Sequence, residues 1–153
     1  MKRFAIFTVA AIAISAAALH ADESNCTNQT IKGTFAVTIA GTRPAATVLP
    51  SVPGFPGMTE AVVGIAIQNF DGNGGFTQTD NVKGSLSGIT QNRPGGGTYT
   101  VSPDCTGTYT VNIPGVPAPI VTRFVISDGG AAFTAVVVSP QPLMIAASGR
   151  RVN

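Results

Sequence analysis

The acidic residues are the side chains of this chain most able to do chemistry, because two carboxylates held together can act as a general acid and a general base. Only five acidic residues fall in the strand-forming part of the sequence. Three of them, Asp71, Asp104 and Asp128, stand in segments rich in turn-forming residues. The sequence therefore predicts no catalytic carboxylate pair, and Glu60 is the acidic residue that stays of interest.

Nucleophilic catalysis by a serine or cysteine needs a nearby histidine as base. The chain has a single histidine, His20, close to its N-terminus. Two thiols, Cys26 and Cys105, make only half of a structural zinc site. We therefore predict neither a catalytic triad nor a metal centre, and no cofactor.

The segment 69–76, with the sequence NFDGNGGF, carries oxygen-bearing side chains at alternate positions, as a calcium-binding loop does. Val82 stands where an EF-hand loop requires its bidentate glutamate, and the flanking residues alternate as strands do. Asp and Asn between glycines are typical of a tight hairpin turn. We predict a turn here.

Four residues are candidates for binding a ligand: Glu60, Arg123, Phe55 and Val116. Glu60 and Arg123 each belong to an apolar strand, where each either points inward and orients a ligand or points outward as an ordinary surface charge. Phe55 and Val116 lie in proline-rich connections, 49–58 and 113–119, that are unusually apolar for loops. Such a connection either plugs the end of a barrel or covers a ligand cavity.

The elements that must position these residues are strands. Two identical pentapeptides, 97–101 and 107–111, predict a β-hairpin with its tyrosines and valines on one face and its threonines on the other. Short alternating runs continue through the rest of the sequence, and no run has a helical period. The sequence predicts an all-β fold, a small closed antiparallel barrel of about eight strands, because closure removes exposed strand edges.

The period of two also predicts which residues face the core. In the first strand these are Ile31, Phe35, Val37 and Ile39. In the strand that begins near residue 59, the predicted core face consists of Ala61, Val63, Ile65 and Ile67, with Glu60 and Gln68 on the opposite side. The strand containing Arg123 and the run 132–138 are apolar on both faces, which predicts that both faces are covered.

Residues 1–21 read as a Sec-type signal peptide, with a basic start, an apolar run, and small residues at Ala18 and Ala21 that offer two cleavage positions. Residues 22–153 form the predicted single domain. Two of the nine basic residues lie in the leader, so the remainder balances the seven acidic ones and predicts neither nucleic-acid nor membrane partners. A periplasmic or extracellular location would be oxidising, so we expect a Cys26–Cys105 disulfide.

The Cys26 region with residues 31–35, the turn 69–74 and the segment 97–107 together resemble a group of uncharacterised secreted bacterial proteins similar to the allene oxide cyclase barrel-like, lipocalin-related class. The resemblance implies an eight-stranded antiparallel barrel and no settled activity. No catalytic residue of the plant cyclases aligns with Glu60.

The function expected from these features is that of an exported barrel, non-enzymatic, that binds a small apolar ligand or a macromolecular partner. Two alternatives stay open: a cofactor-free isomerase or cyclase that uses the same cavity, and a purely structural envelope protein. The binding and catalytic alternatives need a cavity, whereas the structural one does not.

Overall fold

A computed structural model describes residues 25–45 and 58–152 of the chain. Eight strands make up the fold, and two short 3-10 turns, Asn28–Ile31 and Asp128–Gly130, precede the first and the seventh. The strands are β1 (Gly33–Pro44), β2 (Thr59–Phe70), β3 (Gly75–Gly84), β4 (Gly88–Val101), β5 (Thr106–Asn112), β6 (Ile120–Ser127), β7 (Ala132–Ser139) and β8 (Met144–Arg151). The predicted leader, residues 1–21, lies outside the described residues.

Every strand pairs antiparallel with the next one in sequence, and β8 returns to pair with β1, so the sheet is a closed barrel. This confirms the predicted all-β barrel of eight strands. The β2–β3, β4–β5 and β6–β7 turns lie at one end of the barrel, which we call the aromatic end. The β3–β4, β5–β6 and β7–β8 connections, the second of which carries Val116, lie at the opposite end, which we call the loop end.

Aromatic rings fill the interior at the aromatic end. Phe70 is central, with ring centroids 5.6 Å from Phe35, 5.4 Å from Phe76 and 5.1 Å from Tyr99. Tyr109, Phe124 and Phe133 continue the cluster around the barrel wall. Contacts among rings of this size contribute both apolar burial and favourable edge-to-face geometry. This half of the barrel is therefore a packed core.

The hairpin predicted from the two identical pentapeptides is present as β4 and β5, with Tyr99 opposite Tyr109. Both tyrosines are buried, while Thr98 and Thr100 are exposed. The predicted division into a packed face and a wetter face is confirmed. The core prediction for β1 is also confirmed, because Phe35 and Val37 are buried on its inner face.

The predicted core face of β2 is wrong. Val63, Ile65 and Ile67 point outward and are 58%, 61% and 48% exposed, whereas Glu60 and Gln68 point inward and are buried. A shift of one residue exchanges the two faces of a strand completely. The inner face of β2 is apolar only in part, with Val62, Ala66 and Phe70 buried between the two polar residues.

The prediction of double-sided cover for β6 and β7 is wrong as well. Phe124 and Ile126 of β6 are buried, but Val125 on its other face is 55% exposed. In β7, Val136 and Val138 are 50% and 45% exposed. The outer surfaces of these strands carry apolar side chains that no described part of the chain covers.

The predicted disulfide between Cys26 and Cys105 is confirmed, with Cα atoms 5.0 Å apart and a sequence separation of 79. The bond ties the segment before the first 3-10 turn to the β4–β5 turn. Ile31, fully buried, anchors that 3-10 turn against the aromatic cluster. The aromatic end of the barrel is thus closed by the chain that precedes β1.

Candidate functional site

A chain of polar side chains lies inside the barrel along its inner wall. The Arg93 guanidinium donates two hydrogen bonds of 2.9 Å to the Asp80 carboxylate. Gln78 Nε2 donates to Asp80 Oδ2 at 3.0 Å, and Gln68 Nε2 donates to Gln78 Oε1, also at 3.0 Å. We call these four residues the polar relay. Three of its members, Asp80, Gln78 and Gln68, are buried.

The register of three neighbouring strands sets this relay. Asp80 of β3 stands directly opposite Arg93 of β4, and Gln78 stands opposite Gln68 of β2. Gln78 also faces Gly95, where a Cβ atom would lie 3.0 Å from Gln78 Cγ and 3.2 Å from its Nε2. A larger residue at position 95 would therefore crowd the Gln78 side chain, which bonds to Gln68 on one side and to Asp80 on the other.

The relay ends at Gln68, whose side chain reaches Tyr109 of β5 across the barrel interior. Burial raises the pKa of Tyr109, while hydrogen bonding to the side chains of Thr122 and Gln68 acts in the opposite direction. Among the described residues, none donates a hydrogen bond to Gln68 Oε1, although that atom is buried. An unpaired buried acceptor costs free energy, and this oxygen is the one polar side-chain atom of the relay that is buried without a hydrogen-bond donor.

Nearer the loop end, Glu60 forms a second inward ion pair. Its Oε1 accepts a hydrogen bond from Arg43 Nε at 2.6 Å, and its Oε2 accepts from the backbone N–H groups of Leu86 and Ser87 at 3.0 and 2.9 Å. Burial alone would raise the pKa of Glu60, but the bonds from Ser87, Arg43 and Leu86 outweigh it and lower the pKa to about 2. Glu60 is therefore ionised and fully engaged in holding the β3–β4 turn.

The inner wall opposite the relay, formed by β7, β8 and β1, is apolar. Ile39 of β1 pairs with Ala147 of β8 and with Gly64 of β2, and Ala147 pairs with Ala135 of β7. Beyond the rings of Phe35 and Phe133, the inward residues of this wall toward the loop end are small or aliphatic up to Arg43, and several are only half-buried: Ile39, Val137, Ile145 and Ala147. The barrel interior thus changes from large aromatic rings at one end to small residues toward the other.

Of the four ligand-binding candidates from the sequence, only Glu60 is brought inside the described barrel. Arg123 is exposed on the outer surface of β6, between Thr108 and Val136 of the neighbouring strands. Val116 is 39% exposed in the β5–β6 connection. Phe55 lies outside the described residues, so its prediction is not decided by the structure.

The relay residues escaped sequence analysis because each is polar and lies in a strand that looks half-exposed. One signal could have revealed them. Gln78 and Asp80 share their side of β3 with Phe76 and Val82, so a period of two places them inward together with two apolar residues. Polar residues bracketed in this way on one face are candidates for a buried network.

The segment that resembled a calcium loop is the β2–β3 turn, as predicted. Asp71 Oδ1 accepts hydrogen bonds from the backbone N–H groups of Asn73 and Gly75, at 2.6 and 3.0 Å. These two bonds lower the pKa of Asp71. Gly72 and Gly74 supply the positive φ angles of 84° and 108° that the turn requires.

The outer surface carries a second distinct feature, an apolar band that crosses four strands. Val63 of β2 pairs with Ala40 of β1, Ala40 with Ala146 of β8, and Ala146 with Val136 of β7. We call this row, together with Ile65 and Ile67, the outer apolar face. Beside it, a surface cavity of about 540 Å³ opens near the loop end, lined by residues that include Val138, Leu143 and Met144.

No known protein-family model matches the sequence, and no curated protein or solved structure is significantly similar to it. Within residues 25–45 and 58–152, no helix has the length and apolar character needed to cross a membrane. What the fold defines is a small closed β-barrel with a disulfide, a packed aromatic end and a polar relay inside.

Proposed function

We propose that this protein is an exported, non-enzymatic binding protein that holds a small, largely apolar molecule in the loop-end half of its barrel. The observation that carries the proposal is the asymmetry of the interior. Seven aromatic rings fill one half, whereas the wall formed by Ile39, Ala147 and Ile145 toward the other end is small or aliphatic and only half-buried. Eight-stranded barrels have interiors just large enough for side chains or for one small ligand.

The chemistry of the inner wall favours binding over proton transfer. Glu60 and Asp80, the two buried carboxylates in the part of the chain that the structure describes, are each paired with an arginine, Arg43 and Arg93. A general acid or base works best when its pKa lies near the working pH, and the pKa of Glu60 is lowered to about 2. These groups are better suited to shaping and orienting a site than to carrying a proton through a reaction.

A space-filling substitution tests the proposal directly. Ala147 points into the barrel, and its sequence neighbour Ala146 points outward and is exposed. Purified protein is titrated with the neutral fluorescent probe N-phenyl-1-naphthylamine. We expect saturable binding that Ala147→Phe abolishes and that Ala146→Phe, the matched control, leaves unchanged. Absence of saturable binding to the wild-type protein, or equal effects of the two variants, would contradict an interior site.

A macromolecular partner is the second candidate function, and the outer apolar face favours it. The row from Val63 to Val136 contains no charged residue and lies between Lys83 on β3 and Arg123 on β6. Contiguous exposed apolar patches on soluble proteins commonly mark interaction sites. Cross-linking in the native host tests this candidate. Adducts should be lost with Ile65→Lys and kept with Val125→Lys, which changes a residue of similar exposure, 55% against 61%, elsewhere on the barrel.

A further inference from the structure

The hydrogen bonds of the polar relay all run in one direction, and the Arg93–Asp80 ion pair sets that direction. In this relay the Asp80 carboxylate accepts all of its hydrogen bonds, two from Arg93 and one from Gln78. Gln78 must therefore turn its NH2 group toward Asp80, which leaves its Oε1 facing Gln68. That oxygen in turn requires the NH2 group of Gln68. Each amide is oriented by the one before it, starting from Arg93.

The consequence of this fixed direction appears at Gln68, the last residue of the relay. With its NH2 group committed to Gln78, Gln68 presents Oε1, an acceptor, and Oε1 is the buried polar atom that has no donor among the described residues. Gln68 itself is only 3% exposed, and its side chain reaches Tyr109 of β5 across the barrel interior. It lies between Ala66 and Phe70 on the inner face of β2, where the aromatic cluster borders the loop-end half. A half-turn of the Gln78 amide would place two NH2 groups face to face, and a half-turn of the Gln68 amide would place two oxygens face to face. Either rotation would break the relay.

We propose that Gln68 Oε1 is a specificity-determining acceptor and that the ligand of the barrel is an apolar molecule that carries one O–H or N–H donor. This inference rests on the proposed function, because it names the chemical class of the molecule held in the same interior. Arg93, Asp80 and Gln78 are positioning residues, since they act on the ligand through Gln68. A site that must satisfy a buried polar atom discriminates strongly against analogues that lack the matching group.

Two probes that differ only in the donor test the inference on the wild-type protein. 2-Naphthol carries a hydroxyl hydrogen, whereas 2-methoxynaphthalene has the same rings and oxygen but no donor. Both are titrated at neutral pH, with their intrinsic fluorescence as the readout. We expect 2-naphthol to bind about tenfold more tightly, the effect of one hydrogen bond to an otherwise unpaired acceptor. Equal affinities would overturn the inference, whereas absence of binding by either probe would overturn the proposed function.

Two variants assign the effect to Gln68 and to the relay. Gln68→Met keeps the length of the side chain but removes the acceptor, and Asn69→Met, at the exposed neighbouring position, is its control. The preference for 2-naphthol should vanish in the first and persist in the second. Asp80→Asn frees the amides to reverse, so it should reduce the preference while affinity for the methyl ether is retained. A preference that survives Gln68→Met would overturn the assignment of the acceptor to this residue.

Discussion

Glu60 and Arg43 stand directly opposite each other across the β1–β2 pairing, both turned into the barrel, with Glu60 Oε1 2.6 Å from Arg43 Nε. The Glu60 side chain is fully buried and that of Arg43 is 12% exposed. Ser87 completes the arrangement, because its hydroxyl accepts a hydrogen bond from Arg43 and donates to the carboxylate. A pair of charges buried in this way is costly to break.

The pKa of Glu60 makes the stability of the barrel depend on acid pH. The ordinary pKa of 4.5 is lowered to about 2 in the folded protein. The folded state therefore binds fewer protons than the unfolded state, so the stabilisation is complete above about pH 4.5 and is lost as the pH falls toward 2. It amounts to at most about 3 kcal/mol. Urea unfolding between pH 2 and pH 7 measures it.

Glu60→Gln should lower the free energy of unfolding by about 3 kcal/mol at neutral pH, because Arg43 loses its counter-charge. The same variant should lose this part of the pH dependence. Asp128→Asn is the matched control, since Asp128 forms an exposed pair with Arg150 at 3.6 Å and should change stability by less than about 1 kcal/mol. An equal loss in both variants would contradict the structural role assigned to Glu60.

Adjacent valines of β2 test which face of the strand is inside. Val62 is 2% exposed and Val63 is 58% exposed. Val62→Ala should lower the free energy of unfolding by about 2 kcal/mol through lost burial and a residual cavity. Val63→Ala should change it by no more than about 0.5 kcal/mol. Chemical denaturation of the two variants gives the comparison, and a larger loss for Val63→Ala would mean that the register is shifted by one residue.

Gly107 leaves the space that Phe124 occupies on the neighbouring strand. The two residues are paired between β5 and β6, and a Cβ atom on Gly107 would overlap the Phe124 ring. Gly107→Ala should therefore lower the free energy of unfolding by about 1 to 3 kcal/mol. In a Phe124→Leu background the additional cost should be smaller, because the overlapping ring atoms are gone. Additive losses in the double variant would contradict a direct contact.

The Cys26–Cys105 disulfide closes a loop of 79 residues, so its removal should release considerable chain entropy in the unfolded state. Cys105→Ser should lower the free energy of unfolding by about 2 to 5 kcal/mol, with strand content by circular dichroism unchanged. Intact mass and alkylation under native, non-reducing conditions check the bond itself. Two alkylatable thiols in folded wild-type protein would contradict it.

The sequence by itself determined the fold class, because a period of two over many short segments leaves a closed sheet as the economical solution. It also determined the β4–β5 hairpin. There the apolar face, Tyr99 with Tyr109, and the polar face, Thr98 with Thr110, differ so clearly that only one orientation is possible. The β2–β3 turn and the disulfide likewise depend on local residue types or on a single pair of cysteines.

The tertiary structure alone decided which face of β2 is inside. Val63, Ile65 and Ile67 form the more apolar face of that strand, and they are outside. The inner face contains Glu60 and Gln68, whose burial is favourable only because Arg43 and Gln78 stand opposite them on neighbouring strands. Such partners are distant or on another strand, so a hydrophobic pattern within β2 cannot contain them. The polar relay was hidden for the same reason: hydrogen bonds between strands, not the character of any one strand, make its burial possible.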